Sequence, residues 1–171
     1  MRSPLKSAFP PAIDDNIRLL VLGCLPGDAS LAARQYYAHP TNQFWRLMEG
    51  VIGNDLTSLA YPERLSLLNA HGVGLWDVLK TGRRAGSLDS AIRDYQANDL
   101  GEFTRRLPKL RAVAFNGATA AKIGSRQMGA DDRPLTQLML PSSSAAYCSI
   151  SFQAKQAQWL ALRDHIGSNL A

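Results

Sequence analysis

Apolar residues along the chain fall into short continuous runs separated by stretches of helical spacing. Ile17 to Leu22 (IRLLVL) is nearly continuous and stops at Gly23, which suits a strand buried on both faces of a parallel sheet. Leu110 to Phe115 (LRAVAF) stops at Asn116–Gly117, and Gln137 to Leu140 (QLML) stops at Pro141; both predict further strands. Gly72 to Leu79 (GVGLWDVL) predicts a short strand followed by a turn. Between these runs the period changes. Phe44, Leu47, Met48, Val51 and Ile52 share one face of a helix predicted over Asn42 to Ile52. Pro62 to Ala70, Asp99 to Leu107 and Phe152 to Ile166 predict three more helices, and another begins over Ala118 to Ile123. Leu88 to Tyr95 reads as a short helix or turn. Residues 1–16 carry neither pattern and read as a loosely tethered lead-in, leaving residues 17–171 as one domain.

Strands thus alternate with helices, and each strand ends in Gly, Asn or Pro. That order predicts an α/β layer fold with a mostly parallel sheet. Ligands in such folds bind beyond the carboxyl ends of the strands. The places to search are therefore Gly23–Ser30, Trp76–Asp77, Asn116–Gly117 and Pro141–Ser144.

Composition narrows the class. At 171 residues and 46% hydrophobic content the chain can bury one core and is too apolar to be disordered. No apolar run reaches the ~18–20 residues of a membrane span. Pro4, Pro10 and Pro11, followed by Asp14 and Asp15, do not read as a signal peptide. A soluble cytoplasmic protein with no membrane association is expected. Cys24 and Cys148 are too few for a disulfide framework, and His39, His71 and His165 lack metal-ligand spacing, so no metal or cofactor is expected. The formal charge of +5 is compatible with nucleic-acid binding without establishing it.

The segment after the first strand, Gly23 to Trp45, concentrates unusual chemistry. Gly23 and Gly27 bracket Pro26, and a turn with such amides can grip a carbonyl or an anion; a plain strand-to-loop turn is the alternative. Tyr36, Tyr37, His39, Asn42, Phe44 and Trp45 follow within ten residues. A pocket for a flat heterocycle needs aromatic faces and a few polar edge-readers of this kind. Trp45 reads as a core anchor and Tyr37 as a pocket residue. Asp28 and Asp77 are the carboxylates nearest to strand ends; each either activates water or caps a loop. Asn116 either bonds a pocket group or caps its turn. Arg83 and Arg84 form a basic loop that either meets phosphate or is simply solvated.

These residues resemble the first motif of the uracil-DNA glycosylase superfamily, and are most similar to its hypoxanthine-DNA glycosylase group (the DNA-deoxyinosine glycosylases, or family 6). The resemblance is carried by Gly23-Cys24-Leu25-Pro26-Gly27, Ser30-Leu31, Tyr36 through Trp45, Gly74 to Val78, Phe115-Asn116-Gly117 and Leu140 through Ser144. It implies a three-layer α/β/α sandwich around a short, mostly parallel sheet. It implies excision of a deaminated base from DNA in base excision repair, hypoxanthine before uracil, xanthine or another lesion; a weakly catalytic damaged-DNA-binding module is the alternative. Mismatch-specific uracil-DNA glycosylases are similar too, but they carry a water-positioning Asn where this chain has Leu25. Cys24 stands where the group usually has Ser. The resemblance makes Asn42 the catalytic residue, orienting water or gripping the base. Tyr37 would stack on the flipped base, and the Cys24, Leu25, Pro26 and Gly27 turn would read it. His39, Phe44 and Asn116 complete the expected pocket. Ser142, Ser143 and Ser144 would hold phosphates in a loop that enters the minor groove, with Tyr147 as its first bulky residue. No Lys falls in a motif, so a monofunctional enzyme is expected, acting on DNA without an obligatory protein partner.

Overall fold

A computed structural model describes residues 2–129 and 133–167; the end of the expected domain, residues 168–171, lies outside the described residues. Four strands form a wholly parallel sheet: β2 (Leu19–Gly23), β3 (Val73–Asp77), β6 (Ala112–Asn116) and β7 (Thr136–Leu140), in the order β3-β2-β6-β7. The two central strands are buried along their whole length, as their unbroken apolar runs require. Register aligns Gly23 with Asp77 and Asn116 with Leu140. The chemically distinctive strand ends therefore stand side by side along one edge.

Alternation along each strand divides the core in two. Leu19, Val21, Ala112 and Ala114 face α2 (Phe44–Ile52), Leu68 of α3 (Tyr61–Ala70) and Trp159 of α6 (Phe152–Trp159). Leu20, Leu22, Val113 and Phe115 face Leu100 of α4 (Leu100–Arg105) and Ile123 of α5 (Ala118–Gln127). This is the three-layer α/β/α arrangement anticipated above. No helix among the described residues is long and apolar enough to cross a membrane.

Several local expectations are corrected. The lead-in is tied down: β1 (Leu5–Ser7) pairs antiparallel with β4 (Leu79–Arg83), Ala12 bridges to Leu75, and Tyr36 donates to the Pro10 carbonyl. Leu88 to Tyr95, read as a short helix or turn, does hold a 3₁₀ turn at Asp89–Ala91, but from Arg93 it is the strand β5 (Arg93–Ala97), which pairs with β4. β5 is exposed at four of its five positions, so it shows no alternation of apolar residues; main-chain pairing makes it a strand. Helix α1 (Asp28–Ala33), which the sequence pattern did not predict, begins inside the segment Gly23–Ser30 and runs past its end. Helix α2 starts at Phe44, because the Asn42 side chain turns back to accept from the Phe44 amide at 3.0 Å. α6 ends at Trp159 and continues as a 3₁₀ stretch to His165.

Candidate active site

A cavity of about 720 Å³ opens over the carboxyl edge of the parallel sheet. Its floor is the Cys24–Gly27 turn, and the turn is held from behind. Arg84, 1% exposed, donates to the carbonyls of Leu25 (3.4 Å) and Pro26 (2.6 Å), to that of Gly86 (3.1 Å), and to Asp89 (3.1 Å). The Cys24 carbonyl accepts from the Leu79 amide at 3.2 Å. Across a trans peptide the N–H points opposite the carbonyl. The amides of Leu25 and Gly27 are thereby directed away from this framework, in two residues that line the cavity. Reading Arg84 as a phosphate-facing loop residue is corrected: its guanidinium is consumed inside the protein. Arg83 donates to Ser3 O at 2.8 Å. Cys24 is a buried thiol, and burial pushes it well above the usual thiol range.

Gly23 marks the meeting point of three strand ends and loops. A Cβ there would lie 2.7 Å from Asp77 Oδ1 and 3.1 Å from the Tyr37 hydroxyl, so only glycine fits. Tyr37 takes a left-handed φ of 55° and stacks on Phe44, with centroids 3.9 Å apart and planes inclined 18°. Tyr37 lines the cavity; Phe44 is fully buried beneath it and supports the wall rather than forming it. Burial, followed by the nearby Asp77, pushes the Tyr37 phenol upward. Among the described residues, the Tyr37 hydroxyl and Asp77 Oδ2 are the buried side-chain oxygens or nitrogens with no hydrogen-bond partner.

Another part of the wall is a network of three side chains, one from the end of β6 and two from loops. Asn116, at the end of β6, donates to Ser143 Oγ (2.9 Å) and accepts from the Ser143 amide (2.9 Å). Ser143 Oγ in turn donates to Asn42 Oδ1 (2.9 Å), which also accepts from Phe44 N. The Phe44 N–H can only donate, so this assigns the Asn42 amide without ambiguity. Both lone pairs of Oδ1 are occupied, and Nδ2 remains as a donor in the cavity wall. Ser143 is 1% exposed, so of the three serines expected to meet phosphate it is the one the structure removes from that role. Ser142 and Ser144 are half-buried, and their hydroxyls accept from the amides of Ser144 (3.1 Å) and Ala146 (3.2 Å). Tyr147 is 41% exposed at the rim. His39 is exposed on the rim, with Nδ1 accepting the Thr41 amide at 3.2 Å.

Sequence reasoning missed Lys155. It is 1% exposed and donates to Gln43 Oε1 (2.8 Å), Tyr147 O (3.0 Å) and Ser144 O (3.3 Å). It thus ties the Ser142–Tyr147 loop to the segment carrying Asn42, and burial lowers its pKa. Its partners are neutral, so loop geometry rather than charge pairing holds it. Phe152, Lys155 and Trp159 lie three and four residues apart, a helical spacing that places Lys155 on the inward face. Asp28 is 62% exposed and paired with Lys6 at 2.6 Å, whereas Asp77 is buried in the cavity wall. Burial, and secondarily Asp89, raises Asp77 to about 7 against the opposing pull of Arg84.

The chain matches the sequence model of the Uracil DNA glycosylase superfamily over residues 10–163. It is 40% identical to a hypoxanthine DNA glycosylase from Methanosarcina barkeri, covering 90% of this chain and 95% of that protein. It is also 40% identical to a hypoxanthine DNA glycosylase from Methanosarcina acetivorans, covering 94% and 99%. The solution NMR structure of a Methanosarcina acetivorans protein, provisionally named a uracil DNA glycosylase, superposes with a TM-score of 0.82 at 40% identity, covering 95% of this chain and 98% of that one.

Proposed function

The chain belongs to the uracil DNA glycosylase superfamily, and we propose that it is a monofunctional DNA glycosylase that releases hypoxanthine from deoxyinosine in DNA, in base excision repair. The observation that carries the reading is the fixed Asn42 amide, held by Phe44 N and Ser143 Oγ with its Nδ2 free in a cavity at the sheet's carboxyl edge. The names of the two curated relatives supply the base.

A base inside a duplex is out of reach, so the nucleotide is extruded into the cavity, where Tyr37 offers a ring face. The C1′–N9 bond then breaks with its electron pair moving to the purine. Water adds at C1′, and the proton it sheds ends on the released base. Because Asn42 Oδ1 is saturated, Asn42 acts as a donor to the leaving base and is not the acceptor that orients water. A preorganised donor of this kind is worth roughly 10²–10³ in rate. The cavity wall contains no lysine among the described residues, and Lys155 Nζ has three acceptors, so no free amine is offered for a Schiff base. The proposed reaction uses water alone and needs no cofactor or protein partner.

The test is a panel of duplexes carrying hypoxanthine, uracil, xanthine or an undamaged base, read by alkaline strand cleavage under single-turnover conditions. Hypoxanthine is expected to be excised fastest. Tight, lesion-selective binding without abasic product would overturn the enzymatic reading.

A further inference from the structure

Water that attacks C1′ must be oriented and must give up a proton, and few groups of the cavity wall can accept it. Asn42 Oδ1 is saturated by Phe44 N and Ser143 Oγ. Leu25 brings no polar side chain to the turn. His39 stands exposed on the rim. Among the described residues two carboxyls line the cavity, Asp77 and Asp89. We propose that Asp89 orients the attacking water and takes its proton. The assignment rests on the functional reading given above and deepens it.

Asp89 opens the 3₁₀ turn between β4 and β5, in a loop pinned at several points. Lys6 Nζ (3.0 Å) and Arg84 Nε (3.1 Å) both donate to the Gly86 carbonyl, and the Asp28 amide donates to Ser87 Oγ at 3.4 Å. The Asp89 carbonyl accepts from the Ile92 amide at 3.2 Å. Arg84 Nη1 then fixes Asp89 Oδ1 at 3.1 Å, while the same guanidinium holds the Leu25 and Pro26 carbonyls. The carboxyl is therefore set against the Cys24–Gly27 floor by a group that is itself 1% exposed. Oδ1 alone is engaged by Arg84, and the side chain, 34% exposed, lines the cavity, where a water can reach Oδ2.

Charge separates Asp89 from Asp77. Asp77 is 4% exposed, and burial together with Asp89 raises it to about 7. Burial raises Asp89 too, but Arg84 in direct contact opposes the shift. Like charges sharing a cavity do not both ionise readily, so the member paired with the guanidinium keeps the charge. Burial and then the charge of Asp89 raise the Cys24 thiol, which places that charge beside the turn. An ionised carboxylate accepts on both oxygens, so it serves Arg84 and a water at once. As the water oxygen bonds to C1′, the C1′–N9 electron pair leaves with the purine. The water proton passes to Oδ2 and from there, through solvent, to the released base. A negative charge in the cavity also stabilises the positive charge that gathers on the sugar.

Azide, an anionic nucleophile that needs no base, separates this role from a structural one. Single-turnover release of free hypoxanthine is measured by chromatography for the wild type, Asp89→Asn and Asp89→Ala, each with and without sodium azide. Asn keeps an acceptor for Arg84, and thermal melting checks the fold; if Ala melts early, the Asn variant decides. Both variants are expected to lose about 10²–10⁴ in rate. Azide is expected to restore much of that loss and to leave the wild type unchanged, with azide found bonded to C1′ of the product strand by mass spectrometry. Wild-type release by either variant would overturn the proposal. So would folded, slow variants that azide leaves slow, since a carboxyl that merely props Arg84 gives that result. A wild-type protein that releases no deaminated base would instead overturn the functional reading.

Discussion

Asn42 illustrates how a side chain acquires a role from the bonds it has already made. Its carbonyl oxygen accepts from Phe44 N and Ser143 Oγ, and only its NH₂ is left for a substrate. Asn42→Asp preserves both accepted bonds and replaces the donor with negative charge. We expect near-normal thermal stability and a single-turnover excision rate lower by about 10²–10³. An active Asn42→Asp enzyme would show that the amide does not act as a donor. At this scale the sequence was informative in part. Tyr37 was legible as a cavity residue from its neighbours, and Asn42 from the resemblance. Phe44 was legible as an aromatic but not as the layer beneath Tyr37, because stacking depends on the left-handed turn at Tyr37. Asp77 was legible as a carboxyl at a strand end; its missing partner is a property of packing alone.

At the scale of elements, the site is assembled by loops that the parallel sheet brings to one edge and that buried polar side chains then fasten together. Ser143 fastens the loop after β7 to β6 and to the start of α2, and Lys155 of α6 fastens the same loop from below. Lys155→Met removes the donor to three acceptors. We expect a loss of about 2 kcal/mol in denaturant unfolding, together with a reduced excision rate, since the Asn42 segment loses its anchor at Gln43. Unchanged stability and rate would show that the loop holds without it. The parallel strands were legible because burial on both faces demands continuous apolar runs. The antiparallel strands β1, β4 and β5 were not. β5 is mostly exposed, β1 is three residues long, and the pairs are made by main-chain bonds that leave little trace in side-chain pattern. That second sheet matters for function, since it carries Arg84 under the Cys24–Gly27 turn and brings Asp89 to the cavity.

Taken whole, the molecule is a three-layer sandwich whose carboxyl edge holds a cavity with three distinct polar features. The backbone of the Cys24–Gly27 turn lines it, the Asn42 amide stands in its wall with only its NH₂ unbonded, and a buried carboxyl stands at Asp77. Each comes from a different strand or loop, which is why a linear reading found the pieces without their relation. The formal charge of +5 suits a DNA substrate, although Arg84 and Lys155, two of the cations contributing to it, are buried structural ties. The most direct measurement is chemical identification of the product. A hypoxanthine-containing duplex is incubated with the wild-type protein, and the supernatant is analysed by liquid chromatography and mass spectrometry. The account predicts free hypoxanthine in equal amount to new abasic sites, with strands intact until alkali is added. Strand cleavage without alkali, or no free hypoxanthine from a protein that binds the duplex, would contradict it.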